Sequence, residues 1–218
     1  RSTLFPYTTL FRSPAGDSSK VKNIAAAFSP DCTVCCDGGL NFAERFNIEP
    51  DLLIGDLDSI KQSEEEYISK HMKVLRFPVE KNESDLALAL NYITEKFIAK
   101  DIELLVLGGM GGRLDHTLSN IQSLCKTAPE LASCTIQDGR NQMCILKPGN
   151  LSFERQTGTS FGLIALSSHV VNLSVTGAKY SLTNGLLTNK RPFAISNEFA
   201  SNKIRISFTE GQLGIIFT

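Results

Sequence analysis

The stretch Glu103–Ile121, "ELLVLGGMGGRLDHTLSNI", decides how the first two thirds of the chain must be read. Four apolar residues in a row, closed by glycine, suit a strand buried on both faces. After the glycines the pattern becomes helical, with Leu118, Ile121 and Leu124 or Cys125 predicted to face inward. A strand running through a glycine crossing into a helix is the repeating unit of a parallel sheet covered on both sides.

The same grammar recurs upstream. "TVCC", "DLLIG" and "KVLRFP" read as strands, and "GLNFAERF", "SEEEYISKH" and "SDLALALNYITEKF" as helices between them. In the last, Leu86, Leu90, Ile93 and Phe97 form one stripe, with Ser84 or Asn82 as N-cap. After about residue 140 the pattern changes. "FGLIALSS", "VVNLSVTG", "NKIRISFTEG" and "QLGIIFT" are β-rich runs divided by Gly, Asn and Ser, as in an antiparallel sandwich or barrel. "DGRN" reads as the hairpin turn at the junction. The expected architecture is α/β then all-β: a parallel-sheet domain over residues 14–140 and an antiparallel domain over 141–218.

Composition excludes several classes. The 218 residues are enough for one large domain or two small ones, and their net charge of −1 offers no basic surface for nucleic acid or anionic lipid. No apolar run is long enough for a membrane helix. Six cysteines include a CxxC spacing at Cys32 and Cys35, but in a strand those residues point to opposite faces, which argues against zinc or redox use. Reduced, structural cysteines in a cytoplasmic protein are expected.

The chemistry collects at one edge. Asp37 follows "TVCC", Asp56 and Asp58 follow "DLLIG", and Asp85 comes shortly after "KVLRFP". Arg113, Asp115 and His116 follow the fourth strand. Ligands of open parallel sheets bind outside the carboxyl ends of the strands, where all these groups fall. Singly each has an ordinary role: a solvated DxD turn, a turn aspartate before Gly38–Gly39, a helix cap at Asp85, a hydrogen-bonding histidine. "GGMGG" matches neither the dinucleotide fingerprint nor a P-loop. Together they are harder to dismiss, because two carboxylates ~4 Å apart repel by roughly 4 kcal/mol at an effective dielectric of 20. Nearby cations are few, namely Arg113, Lys81 and Lys61, so Mg²⁺ is the natural counter-ion, beside a glycine anion cradle. Residue types alone reach phosphoryl or nucleotidyl chemistry and stop there. A DxD-dependent nucleotidyl or glycosyl transferase and a non-catalytic nucleotide binder both remain open.

"CDGGLNFAERFNIEPDLLIGDLDSI", "FPVEKNESDLALAL", "LGGMGGRLDHTLSNI" and "ISNEF" resemble, in order and spacing, the thiamine pyrophosphokinase family. The resemblance implies a Rossmann-like catalytic domain followed by a β-sandwich, in a homodimer with active sites between subunits. It implies transfer of a pyrophosphoryl group from ATP to thiamine. By motif, Asp56, Asp58 and Asp85 would bind Mg²⁺, and Asp37, Gly38, Gly39 and Asn41 would lie beside the substrates. Arg113, Asp115, Lys81, Gly111, Gly112 and His116 would surround the ATP phosphates. Ser196 and Asn197 would hold the aminopyrimidine of thiamine, with Tyr180 stacking on it. The chain departs from the family's pattern at Asn82, where many members carry an acid, at Ala178, where Leu is usual, and at Tyr180, a tryptophan in animal members.

The start reads differently. Pro6, Tyr7, Thr8 and Thr9 break the apolar stretch that a secretory signal needs. "TLFPYTTLFRS", Thr3–Ser13, does not resemble the first strand of the family, because Pro6 would interrupt a central ladder. It does match the conceptual translation of a common sequencing-adapter oligonucleotide. Residues 1–13 are therefore expected to be an artefact, leaving the sheet short of one strand.

Overall fold

The computed structural model describes residues 7–11, 23–24, 27–58, 73–80, 82–110 and 113–218, with 7–11 as backbone only. The chain divides into two compact units, residues 1–140 and 141–218.

In the N-terminal unit six strands are parallel: β1 (Tyr7–Phe11), β2 (Cys32–Cys36), β3 (Leu52–Gly55), β4 (Lys73–Arg76), β5 (Glu103–Leu107) and β6 (Ser133–Gln137). Their spatial order is β6-β5-β1-β2-β3-β4, so the order reverses on either side of β1. The crossovers include α1 (Gly39–Arg45), α2 (Asp85–Lys96) and α3 (Leu114–Thr127). β3 is buried along its whole length, and β2 and β5 are buried from their second residue, as parallel strands covered on two faces require. Leu40, Phe42 and Ala43 of α1 pack with Cys35, Leu53, Leu105 and Leu107 of the sheet. The expected helix in "SEEEYISKH" lies outside the described residues.

Two expectations need correction. The sheet does not lack its first strand: Tyr7–Phe11 pairs with Cys32–Cys35 on one side and Glu103–Leu107 on the other. Tyr-Thr-Thr-Leu-Phe is strand-favouring, and Pro6 lies outside the described residues. One position of α3 also departs from expectation. Leu118 is 52% exposed, as is its i−4 neighbour Leu114 at 71%, while Leu124 is buried as expected. The polar Asn120 is buried one turn before Leu124, a position that hydrophobic period does not mark.

α2 follows its pattern closely. Ser84 caps it, its Oγ accepting from Ala87 N at 3.2 Å, and Leu86, Ala89, Leu90 and Ile93 form the buried face.

The C-terminal unit is antiparallel and contains no helix. One sheet has the order β12-β9-β14-β7, formed by Asn197–Glu198, Ser160–Ala165, Leu213–Phe217 and Gln142–Leu146. The other has the order β11-β10-β13-β8, formed by Leu182–Thr188, His169–Thr176, Lys203–Phe208 and Gly149–Glu154. Alternating residues of both sheets meet in one apolar cluster, with Phe199 in ring contact with Phe161 and Phe217.

Candidate functional site

The acids of the N-terminal unit are brought together by register. β2 and β3 are adjacent and parallel, with Cys36 opposite Ile54, so the residues that follow each strand emerge side by side. Asp37 N donates to Ile54 O at 2.8 Å, and a Cβ added at Gly55 would stand 3.1 Å from Asp37 Cβ. Glycine at 55 is what lets the two turns close on each other. Asp37 and Leu57 both have positive φ, 44° and 68°. Such geometry costs a non-glycine residue on the order of 1–3 kcal/mol and concentrates at functional sites. Leu57 packs against the core cluster and anchors the turn that carries Asp56 and Asp58. Asp58 N donates to Asp56 Oδ1 at 3.3 Å.

Asp37, Asp56 and Asp58 each offer a carboxylate oxygen within 4.8 Å of the others. Asp37 Oδ1 is buried with no hydrogen-bond partner among the described residues. The expected trio was Asp56, Asp58 and Asp85; among the described residues the group contains Asp37 in place of Asp85. Asp85 opens α2, and its carbonyl accepts from Cys36 Sγ at 3.7 Å, which places the start of that helix beside the end of β2. Gly38 is the N-cap of α1, Gly39 its first residue, and half-buried Asn41 lies in its first turn.

Arg113 stands at the N-cap position of α3, with Asp115 and half-buried His116 in the first turn. Arg113 donates to both carboxylate oxygens of Asp115, from Nε at 3.1 Å and from Nη2. The guanidinium holds the Asp115 carboxyl down at about 2, through that hydrogen bond first, and the pairing raises Arg113 in turn. Both side chains are exposed. Behind them Asn120, 1% exposed, donates from Nδ2 to Gly109 O at 2.7 Å and fixes the start of the glycine stretch. A Cβ at Gly109 would crowd Ile136 Cδ1 at 2.8 Å, so that side chain would have to shift. Lys81, Gly111 and Gly112 lie outside the described residues.

No disulfide joins any two of the cysteines. Burial first, then Asp51 and Asp31, pushes the Cys32 thiol up to about 11, which leaves it protonated and a poor metal ligand or nucleophile at neutral pH.

In the C-terminal unit Tyr180 is 62% exposed, while Asn197 is buried and Ser196 sits before it with φ 59°. Asn197 hydrogen-bonds the backbone of Tyr180 in both directions, accepting from its N at 3.0 Å and donating to its O at 2.8 Å. Neither the Asn120 tether nor this clamp was visible to sequence reasoning. Helical phase linking Asn120 to Leu124 was the one signal available. A concavity of about 370 Å³ on the outer face of the β11-β10-β13-β8 sheet, around Ser152, Thr176 and Arg205, contains none of these residues.

Two family profiles match in succession. Residues 27–136 match the thiamin pyrophosphokinase catalytic domain, and residues 150–213 the thiamin pyrophosphokinase vitamin B1 binding domain. The chain belongs to the thiamin pyrophosphokinase family. The chain is 34% identical to thiamine pyrophosphokinase of Bacillus subtilis over 164 residues, 74% of this chain and 75% of that protein. It is 26% identical over 194 residues to thiamin pyrophosphokinase 1 of Caenorhabditis elegans, covering 85% of this chain and 77% of that one. The crystal structure of the Bacillus subtilis thiamine pyrophosphokinase superposes with a TM-score of 0.81 at 26% identity, covering 97% of this chain and 98% of that chain. That of Geobacillus thermodenitrificans gives 0.76 at 25%, covering 97% and 96%. The aspartate group and the Arg113–Asp115 pair fall within the family's catalytic domain, and Tyr180, Ser196 and Asn197 within its vitamin B1 binding domain.

Proposed function

We propose that this chain is a thiamine diphosphokinase, moving the pyrophosphoryl group of ATP to the hydroxyl of thiamine to give thiamine diphosphate and AMP. The observation that carries the reading is the succession of the family's catalytic and vitamin B1 binding domains along one chain, with the aspartate group inside the first. In the reaction the thiamine oxygen forms its bond to the β-phosphorus as the bond to the α,β-bridging oxygen breaks. AMP carries away the electron pair, and the hydroxyl proton is lost.

The donor set fits Mg²⁺. Three carboxylates within 4.8 Å of one another, one with a buried oxygen that has no partner among the described residues, are hard oxygen ligands in need of a cation. Asp56, Asp58 and Asp85 would hold it, with Asp37 close enough to Asp56 and Asp58 to join them. A bound Mg²⁺ would neutralise phosphate charge and orient the transferred group. The chain's own residues position the substrates. Arg113 presents a guanidinium toward phosphate, with Asp115 fixing its orientation; Asn120 secures the glycine turn; Gly38, Gly39 and Asn41 border the acids. Lys81, Gly111, Gly112 and His116 are proposed to complete the phosphate surroundings, and Tyr180, Ser196 and Asn197 to form the thiamine site.

The finer descriptions belong to the same proposal: a Rossmann-like catalytic domain, a β-sandwich, a homodimer and a cytoplasmic setting. No described helix is long and apolar enough to cross a membrane. Residues 1–13 are proposed to be an adapter-derived artefact; genomic reads that encode them continuously would refute this. The decisive assay for function is purified protein with thiamine, ATP and Mg²⁺. Thiamine-dependent AMP with thiamine diphosphate is the expected product pair, abolished by EDTA. ADP, or turnover indifferent to thiamine, would overturn the reading.

A further inference from the structure

We infer that Asn197 is a positioning residue that sets Tyr180, and that its effect on thiamine binding runs through Tyr180. This rests on the reading of Tyr180 as the surface on which thiamine stacks.

Asn197 is 5% exposed and its amide is largely committed. Oδ1 accepts from Tyr180 N at 3.0 Å and from Glu198 N at 2.9 Å, and Nδ2 donates to Tyr180 O at 2.8 Å. An amide oxygen has two acceptor sites, so a substrate donor would find neither one open. The bonds to Tyr180 take the form of a strand rung made by a side chain.

The surrounding contacts extend the same clasp. Lys179 N donates to Glu198 O at 2.9 Å, Ala178 bridges to Phe199, and Ala200 N donates to Gly177 O at 2.9 Å. A Cβ at Gly177, where φ is 78°, would lie 2.2 Å from Lys203 O, so only glycine allows this approach. Phe199, 1% exposed, roots the clasp in the apolar core. Lys179 Nζ, held by the Glu198 carboxylate at 3.2 Å, stands 5.7 Å from the centroid of the Tyr180 ring. Residues 197 and 198 therefore govern both the backbone of Tyr180 and the cation beside its ring. The ring itself stays exposed, with its main-chain N and O both bound to one side chain. An aromatic platform binds well only if it is pre-oriented, because ordering it on binding would cost affinity.

A double-mutant cycle tests the inference. Tyr180→Ala is expected to raise the KM for thiamine about tenfold, the scale of lost aromatic stacking, with the KM for ATP and kcat unchanged. Asn197→Ala is expected to raise the same KM by a comparable factor, but to add less than about twofold in the Tyr180→Ala background, because coupled residues are non-additive. Independent, multiplicative effects would overturn the inference in favour of direct contact, and so would an unaltered thiamine KM for Asn197→Ala beside a raised one for Tyr180→Ala. If Tyr180→Ala leaves the thiamine KM unmoved, the stacking reading of Tyr180 fails, and a second measurement judges the clasp separately. The chain has no tryptophan, so Tyr180→Trp introduces a single indole reporter. Adding Asn197→Ala should lower its fluorescence anisotropy, and unchanged anisotropy would overturn the clasp. Should Asn197→Ala not fold, Asn197→Asp replaces it, keeping both acceptor bonds while losing the donation to Tyr180 O; the same drop in anisotropy is expected.

Discussion

Asp37 combines a left-handed backbone with a buried carboxylate oxygen that lacks a hydrogen-bond partner among the described residues, and it shares its turn with Asp56 and Asp58. Neutralising one member of such a group relieves repulsion while removing electrostatic stabilisation of the reaction. Asp56→Asn is therefore expected to lower kcat by about 10²–10³-fold, as loss of one preorganised group does. In metal-free buffer the same variant should melt at a higher temperature than the parent, which calorimetry reads directly. Asp115 gives a pH signature. Its carboxyl is depressed, so its contribution is complete above the ordinary carboxylate range and is lost as pH falls through about 2. In a carboxyl NMR titration Asp115 should have its midpoint near that value, and Arg113→Ala should return it to the ordinary range. The residue types at both positions were legible in the sequence, as was their place at strand ends. That Asp37 is the third member of the acid group was not, because it depends on the turns after β2 and β3 closing at Gly55.

Among the elements, α3 shows the reach of periodicity. Apolar spacing placed Leu124 inward correctly, but it also placed Leu118 inward, which is exposed, and could not mark the buried Asn120. Asn120 is inward because Gly109 O needs a donor there. Asn120→Ala would leave that buried carbonyl without this donor, and a loss of about 1–3 kcal/mol in urea unfolding is expected. The same variant should raise the KM for ATP more than that for thiamine, since the glycine turn it anchors belongs to the catalytic domain. α2, by contrast, was legible to its cap. Ser84, the apolar stripe from Leu86 to Ile93 and the absence of interior glycine or proline all agree with one another. β1 was misread because the proline rule outweighed the strand-favouring residues Tyr7–Phe11, which pair on both sides.

At the scale of the whole molecule, each unit has its own core. In the C-terminal unit Phe199 touches Phe161 and Phe217 and also ends the clasp that carries Tyr180. Phe199→Ala is expected to cost about 3–5 kcal/mol by cavity formation, measured by chemical unfolding. By itself the sequence determined the order of strands and helices, the change from parallel to antiparallel grammar near residue 140, and the kind of chemistry at the strand ends. Those are matters of local spacing and residue type, and neighbouring residues suffice to encode them. The tertiary structure alone decided that Tyr7–Phe11 takes the place between β2 and β5, that Asp37 joins Asp56 and Asp58, and that the Asn197 amide closes on Tyr180 seventeen positions away. Each of these depends on which distant segments become neighbours, and that choice is made by burial and backbone pairing over the whole fold.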